Sequence, residues 1–292
     1  MQSNFRDMMA DAKFFESYAR FNEGTQSYES WEESVDRVMQ MHKDKYGYGE
    51  NAELDTLIDF AADAYKDKLV LGAQRALQFG GDQLLKHQIK MYNCCSTYCD
   101  RVAFFGEFMY LLLCGAGVGF SVQEHHIKQL PVVSKRVSGT KTFKVEDSIE
   151  GWAMALDVLM SSYFMEGGKY PEYSDYKVHF DLTGIRPKGS KISGGFLAPG
   201  AEPLRKALDK IENLLESFIS DNFSVELTSI VCYDICMYAA DAVISGGVRR
   251  SATICLFSKD DGDMIKAKTG KDFGKAGNVV IIENFDRLPC PV

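Results

Sequence analysis

The chain has 292 residues, 46% of them hydrophobic and 25% charged, with a net charge of −8. This is a globular composition with length enough for a large core and one or two domains. An acidic chain has no bulk attraction for phosphate backbones, so nucleic acid is not an expected partner and any nucleotide must be held in a local site.

No apolar run is long enough to cross a bilayer, and Met1–Ala10 lacks the charged head and apolar stretch of a secretory signal. No membrane association is expected, and the expected compartment is the cytosol. The eight cysteines are thinly spread and do not form the framework of a small disulfide-stapled domain.

Residues 1–90 read as a helical domain. Phe14, Phe15, Tyr18, Ala19 and Phe21 recur at roughly helical spacing. Ser30 before Trp31-Glu32-Glu33 is a capping-box pattern, and Val35, Val38, Met39 and His42 continue one face. Leu54, Leu57, Ile58 and Ala61 mark a second amphipathic helix. Gly80-Gly81 breaks the chain.

From residue 91 the pattern changes. Tyr92–Thr97 reads as a short buried strand, Val102–Leu113 as a buried helix, Cys114–Gly119 as a tight glycine turn and Phe120–Val122 as the next strand. That is a βαβ unit of a parallel sheet. Residues 123–180 are less regular around one strong helix, Ile149–Phe164. Residues 181–204 form a long loop rich in Gly, Pro, Lys and Ser. Two further helices follow, Leu204–Phe218, with Glu212 and Glu216 outward, and the more apolar Thr228–Ile244. Gly246-Gly247 ends the second, and Ser251–Phe257 reads as a strand.

Two segments and a pair of loops carry residues suited to chemistry. Tyr92-Asn93-Cys94-Cys95-Ser96-Thr97-Tyr98-Cys99 holds three thiols, which suggests redox or metal work. It has only one of the two short ligand pairs usual for zinc. Cys95, Cys114, Cys232, Cys236 and Cys255 read as small buried hydrophobes. The turn Gly115-Ala116-Gly117-Val118-Gly119 lets a ligand approach the backbone, or serves tight packing. It is not a Walker loop, because no Lys-Ser/Thr follows. The loops Arg186–Gly195 and Gly246–Ala252 combine cations with glycine, which suits a phosphate.

Taken in order, Asn93-Cys94, then Phe108–Val122, then Arg186-Pro187-Lys188-Gly189-Ser190, then Gly246-Gly247-Val248-Arg249-Arg250-Ser251-Ala252-Thr253-Ile254, resemble ribonucleotide reductase. The flavour is class II, the monomeric ribonucleoside-triphosphate reductase type that uses adenosylcobalamin. The resemblance reaches back to Arg75–Gly81 and to the helices around Tyr18 and Trp31, and covers roughly residues 14–270.

The resemblance implies an α/β fold: an N-terminal helical domain, residues 1–90, followed by the first half of a ten-stranded α/β barrel, residues 91–292. A helical insertion at about 123–180 would build an effector site without a second subunit. Cys94 resembles the first cysteine of the pair that reduces the ribose. Asn93 and Gly117 resemble positions beside the substrate ribonucleotide. Asp100, Arg101 and Val102 fall where the effector site begins. Arg186, Ser190, Lys191, Arg249 and Arg250 fall on the two loops that carry the effector signal, and the effector is a deoxynucleoside triphosphate or ATP. Further implied partners are a thioredoxin-like reductant and a complementary C-terminal reductase half. No Asn-x-Cys-x-Glu occurs, Cys290 lacks its neighbours, and Ser193 replaces a loop arginine. The chain is therefore expected to be incomplete, from a split or interrupted gene or by truncation, with most cobalamin contacts elsewhere. The alternative is a non-catalytic effector-binding fragment of such an enzyme.

Overall fold

The computed structural model describes residues 2–190, 192, 197–220, 222–245, 252–268 and 278–281. The chain divides into two compact units, with the break between Tyr92 and Asn93.

The first unit is helical. Helix α1 spans Gln2–Ser17. A short antiparallel hairpin that the sequence reading lacks follows, β1 (Phe21–Asn22) with β2 (Ser27–Tyr28). Helix α2 (Trp31–Tyr46) starts on the expected capping box: the Ser30 hydroxyl accepts from the Glu33 amide, and the Glu33 carboxylate accepts from the Ser30 amide. It ends on Gly47 at φ 64°, a left-handed cap that glycine adopts without strain. Helices α3 (Ala52–Lys66), α4 (Gln74–Phe79) and α5 (Asp82–Lys86) complete the unit. Val35, Val38, Met39, Ile58, Tyr65, Ala76 and Leu77 form its core. The Arg75–Gly81 motif has a local physical reason. Arg37 donates to the Leu77 carbonyl at 2.9 Å and Arg20 to the Gly80 carbonyl at 2.8 Å, so two cations satisfy carbonyls at the buried C-terminal end of α4. A side chain at Gly80 would put its Cβ 2.5 Å from the Ala76 carbonyl oxygen.

The second unit is built on a parallel sheet. Strand β3 (Cys94–Tyr98) leads through helix α6 (Phe104–Leu113) to β4 (Gly117–Ser121), the expected βαβ unit. Then come α7 (Glu124–Ile127), β5 (Val133–Ser134), β6 (Thr140–Lys144), α8 (Ile149–Tyr163), β7 (Lys177–Asp181), α9 (Glu202–Ile219), β8 (Ser224–Val225) and α10 (Ser229–Ser245). Strand β9 (Thr253–Phe257), α11 (Gly262–Lys266) and β10 (Asn278–Ile281) close the order. The sheet runs β10-β9-β4-β3 with every pair parallel. The buried side chains of α6, α8, α9 and α10 join one face of this sheet in a continuous core.

Two further features differ from the sequence reading. The 123–180 segment holds a parallel pair, β6 with β7, in register from Thr140↔Lys177 to Lys144↔Asp181. Its exposed Thr and Lys residues hid the strand pattern. Glu212 and Glu216 do not point freely outward from α9. Both take the guanidinium of Arg136, whose side chain is only 2% exposed and lies 4.0 Å from the Tyr163 ring centroid. A buried cation needs paired acceptors, and α9 supplies them.

Candidate active-site face

Alternation along β3 and β4 decides which residues meet. Successive strand residues point to opposite faces, and parallel register sets Cys94 beside Gly117, Cys95 beside Val118 and Ser96 beside Gly119. One face, carrying Cys95, Thr97, Val118, Phe120, Cys255 and Phe257, packs toward the helices. The other carries Cys94, Ser96, Gly117, Gly119 and Ile254 and, toward the far strand ends, Tyr98 and the buried Ser121 and Leu256. There Cys94 and Ser96 are exposed, the glycines are half-buried and Ile254 is 43% exposed.

Asn93 is tied to this point by its backbone. The Gly117 amide donates to the Asn93 carbonyl at 2.8 Å, and the Val118 amide donates to the Ala252 carbonyl at 2.8 Å. A Cβ built on Gly117 would sit 3.6 Å from the Cys94 sulfur, an ordinary contact, so glycine there is not forced by crowding. Its effect is to keep the space over the Cys94 thiol clear. Asn93, Cys94 and Gly117 are thus brought together.

The other thiols are withdrawn. Cys95 is half-buried, its sulfur 3.8 Å from the Gly117 carbonyl oxygen. Burial, then the neighbouring Cys94 and Cys114, push its thiol pKa up to about 11. Cys99, just past the end of β3, is buried with Cys232, Cys236 and Cys255 in the core. Burial holds Cys99, Cys236 and Cys255 well above the ordinary thiol range. No group of three or more His, Cys, Asp or Glu suited to a metal ion occurs among the described residues.

The residues expected to bind an effector fall into separate groups. Asp100 and Arg101 pair at 2.6 Å, and Arg101 also reaches Glu107 on α6 and Thr97. Burial lowers the Arg101 pKa, but hydrogen bonds and attraction from Glu107 and Asp100 leave it raised. The Val102 side chain is 2% exposed in the core, so a ligand can meet only its backbone. Arg186 is joined to Asp147, and the Ser190 hydroxyl donates to the Pro187 carbonyl at 2.9 Å. Gly189 and Ser190 form a backbone pair with Ala198 that closes the base of the loop. Lys191, Arg249 and Arg250 lie outside the described residues.

One polar cluster escaped the sequence reading. At the end of β4 the Ser121 hydroxyl is hydrogen-bonded to His126 Nδ1 at 2.9 Å, and the Gln123 amide donates to the same hydroxyl at 3.2 Å. All three residues are buried, and the Tyr98 ring lies 4.7 Å from that of His126. The available signal was a run of polar residues, Gln123 to His126, directly after a buried apolar strand. In parallel α/β sheets ligands gather at the carboxyl ends of strands, where this cluster sits.

The chain is similar to known proteins over much of its length. A family model described as the B12-dependent ribonucleotide reductase insertion domain matches residues 123–215. It starts where an insertion was expected and runs beyond residue 180. The chain is 28% identical over 319 aligned residues to an adenosylcobalamin-dependent ribonucleoside-triphosphate reductase of Lactobacillus acidophilus, covering 88% of this chain and 42% of that protein. Over the matched span the chain is similar to a B12-dependent ribonucleotide reductase. A reductase of the same name from Lactobacillus delbrueckii subsp. bulgaricus is 30% identical over 192 residues, 55% of this chain and 25% of that one. The crystal structure of a B-12-dependent (class II) ribonucleotide reductase superposes with a TM-score of 0.74 at 22% identity. It covers 92% of this chain and 45% of that one, and the likeness shows a shared mixed α/β fold. The chain thus spans less than half the length of these reductases.

Proposed function

We propose that this chain is the part of an adenosylcobalamin-dependent ribonucleoside-triphosphate reductase that carries one redox thiol and the effector-binding elements. The observation that carries this reading is the bare face of the parallel sheet, with Cys94 exposed beside Gly117. Parallel sheets are normally covered on both faces. Among the described residues the Cys94–Gly117 end of this one is packed by helices on one face and exposed on the other, while Ser121 and Leu256 at the far end of that face are buried. The reading is that the sheet is half of a barrel and the bare face is the wall of its interior.

On this reading, Cys94 is one of two thiols that reduce the ribose. The overall change balances as one ribonucleotide plus two thiols giving one deoxyribonucleotide, one disulfide and one water. Carbon at the sugar loses a hydroxyl and gains a hydrogen, and the two sulfurs are oxidised. Gly117 leaves room for the sugar, and Asn93, whose carbonyl is fixed by the Gly117 amide, lines the approach. The second thiol comes from the complementary half, and a thioredoxin-like dithiol reduces the disulfide afterwards.

Adenosylcobalamin supplies the radical that activates the sugar, which ordinary side chains do not start. The residues on the bare face do not fit that cofactor. Among the described residues, the exposed end of that face offers a thiol, a hydroxyl, two glycines and one isoleucine, and neither an imidazole nor a broad apolar wall. The cofactor's contacts belong to the rest of the enzyme.

Asp100, Arg101 and the backbone at Val102, with Arg186, Ser190, Lys191, Arg249 and Arg250, form the effector elements on this reading. Arg101 and Arg186 already hold carboxylates, so a triphosphate must displace Asp100, Glu107 or Asp147 to reach them. The test is to supply the complementary half and assay reduction of ribonucleoside triphosphates. Cys94→Ser should abolish turnover with the dithiol reductant, and Cys95→Ser should leave most of it. The reverse result overturns the assignment. Calorimetry with deoxynucleoside triphosphates and ATP tests the effector elements separately.

A further inference from the structure

Helix α8 is apolar on nearly all sides, yet Asp157 sits in its middle between Leu156 and Val158, all three buried. Its side chain is 4% exposed. Oδ2 meets Lys169 at 3.2 Å, and Lys169, itself 54% exposed, reaches in from the loop after the helix. Oδ1 is buried with no hydrogen bond of normal geometry. An ionised carboxylate in that state is costly and calls for a role.

Asp157 Oδ1 is aimed at the start of α6. A Cβ built on Gly106 would lie 2.1 Å from it, so only glycine lets the two helices approach this closely. Gly106 is in the first turn of α6, whose amides have no partner within the helix and carry the positive end of the helix dipole. The Gly106 amide lends the carboxylate a weak favourable interaction. The next residue, Glu107, is the one that holds Arg101.

We propose that the Asp157 carboxylate is a protonation-dependent strut between α8 and the first turn of α6, and that its charge state sets how α6 holds the Arg101 turn. Ionised, the carboxylate attracts the first-turn amides and Lys169, and it repels Glu107. Protonated, it loses all three interactions, and Glu107 is left to Arg101. The charged groups facing Asp157 are Lys169 from the loop and Glu107 from α6, and the phenol of Tyr170 also lies within its field. Burial outweighs Lys169 and moves the carboxylate's titration to about 6, within the range where a cell's pH can act on it. The inference concerns helix contacts and holds whether or not the turn binds an effector.

Nuclear magnetic resonance of the full chain from pH 5 to pH 8 tests it. The Gly106 amide should titrate with a midpoint near pH 6, and the amides of Arg101–Ala103 should share that midpoint. Asp157→Asn should remove both responses. Lys169→Met should keep them and move the midpoint upward, because the cation that favours the charged form is gone. A Gly106 amide that does not titrate, an unchanged titration in Asp157→Asn, or a flat Arg101–Ala103 turn beside a titrating Gly106 would each overturn the proposal. The wild-type titration alone decides the matter if a variant fails to fold.

Discussion

Cys94 and Cys95 are neighbours on β3, yet the first thiol is exposed beside Gly117 while the second is half-buried with its sulfur 3.8 Å from the Gly117 carbonyl. Strand geometry alone separates them: adjacent residues face opposite sides of the sheet. One register step therefore decides which sulfur can meet a substrate.

The first prediction concerns their reactivity. Only a thiolate attacks an alkylating reagent, and with a pKa of about 11 Cys95 is about one part in a thousand thiolate at pH 8. Cys99, Cys114, Cys232, Cys236 and Cys255 are closed to solvent. Cys94 should therefore be labelled well ahead of these by iodoacetamide on folded protein, as read by peptide mass spectrometry. Labelling of Cys95 first would mean that the strand faces are reversed.

The second prediction concerns Gly117. Its added Cβ would meet neighbours at 3.6 Å and beyond, so Gly117→Ala fits. Glycine inside a strand costs about 0.5–1 kcal/mol relative to alanine, so this variant should be as stable as the wild type or slightly more so. Gly117→Leu should place its side chain on the bare face beside the Cys94 sulfur. It should fold but slow Cys94 alkylation, and in the reconstituted enzyme it should lose activity. Equal alkylation rates in all three proteins would show that the face over Cys94 is not the route of approach.

How much of this was legible in the sequence follows the range of the interactions. The βαβ unit, the strand at Thr253–Phe257 and the Ser30 cap depend on periodicity and on neighbours within a few residues. The Cys94–Gly117 pairing came from a motif resemblance, and strand alternation then gave the faces. Arg136 meets Glu212 and Glu216 across 76 and 80 residues, and no local pattern announces such a pair. Asp157 is one polar residue within an apolar helix, and no local pattern marks its approach to Gly106, far from it in the chain. The β6–β7 strands are solvated on their outer face, which weakens the apolar alternation that marks a strand.

The third prediction follows from Arg136. Its buried guanidinium ties the segment before β6 to α9 and stacks on Tyr163 of α8. Arg136→Ala leaves Glu212 and Glu216 without their cation and opens a void against Tyr163. Both glutamates are partly exposed and can rehydrate, so the cost should fall below that of a fully buried pair, at about 2–3 kcal/mol. Urea denaturation measures it. Glu216→Gln should cost less, because Glu212 still pairs with the arginine. A loss under about 0.5 kcal/mol for Arg136→Ala, the size of an ordinary surface change, would remove the cluster from the stabilising contacts.

The last prediction concerns Asp157 and stability against pH. Its folded pKa is raised from 3.8 to about 6, with burial as the first cause and Lys169 opposing it. The folded state therefore binds the proton more tightly than the unfolded chain does. The neutral carboxyl is the stabilising form, present in full below about pH 4, and its advantage is lost as pH rises through about 6. Above that, holding the charge costs the fold up to about 3 kcal/mol, at about 1.4 kcal/mol for each tenfold difference in proton affinity between the folded and unfolded chain. Asp157→Asn has the shape of the neutral acid and never carries the charge. It should raise stability at pH 7.5 by about 2 kcal/mol and make little difference at pH 4, so that the two stability curves converge as pH falls. Gly106→Ala should do the opposite, driving a methyl into the carboxylate and costing stability at every pH. That cost should shrink in the Asp157→Ala background, where the clashing oxygen is gone. Denaturant titrations of these variants and the wild type at three pH values measure all of this. If Asp157→Asn is less stable than the wild type at pH 7.5, the Lys169 pair outweighs the burial penalty, and the carboxylate is a simple ion-pair anchor with no role in pH response.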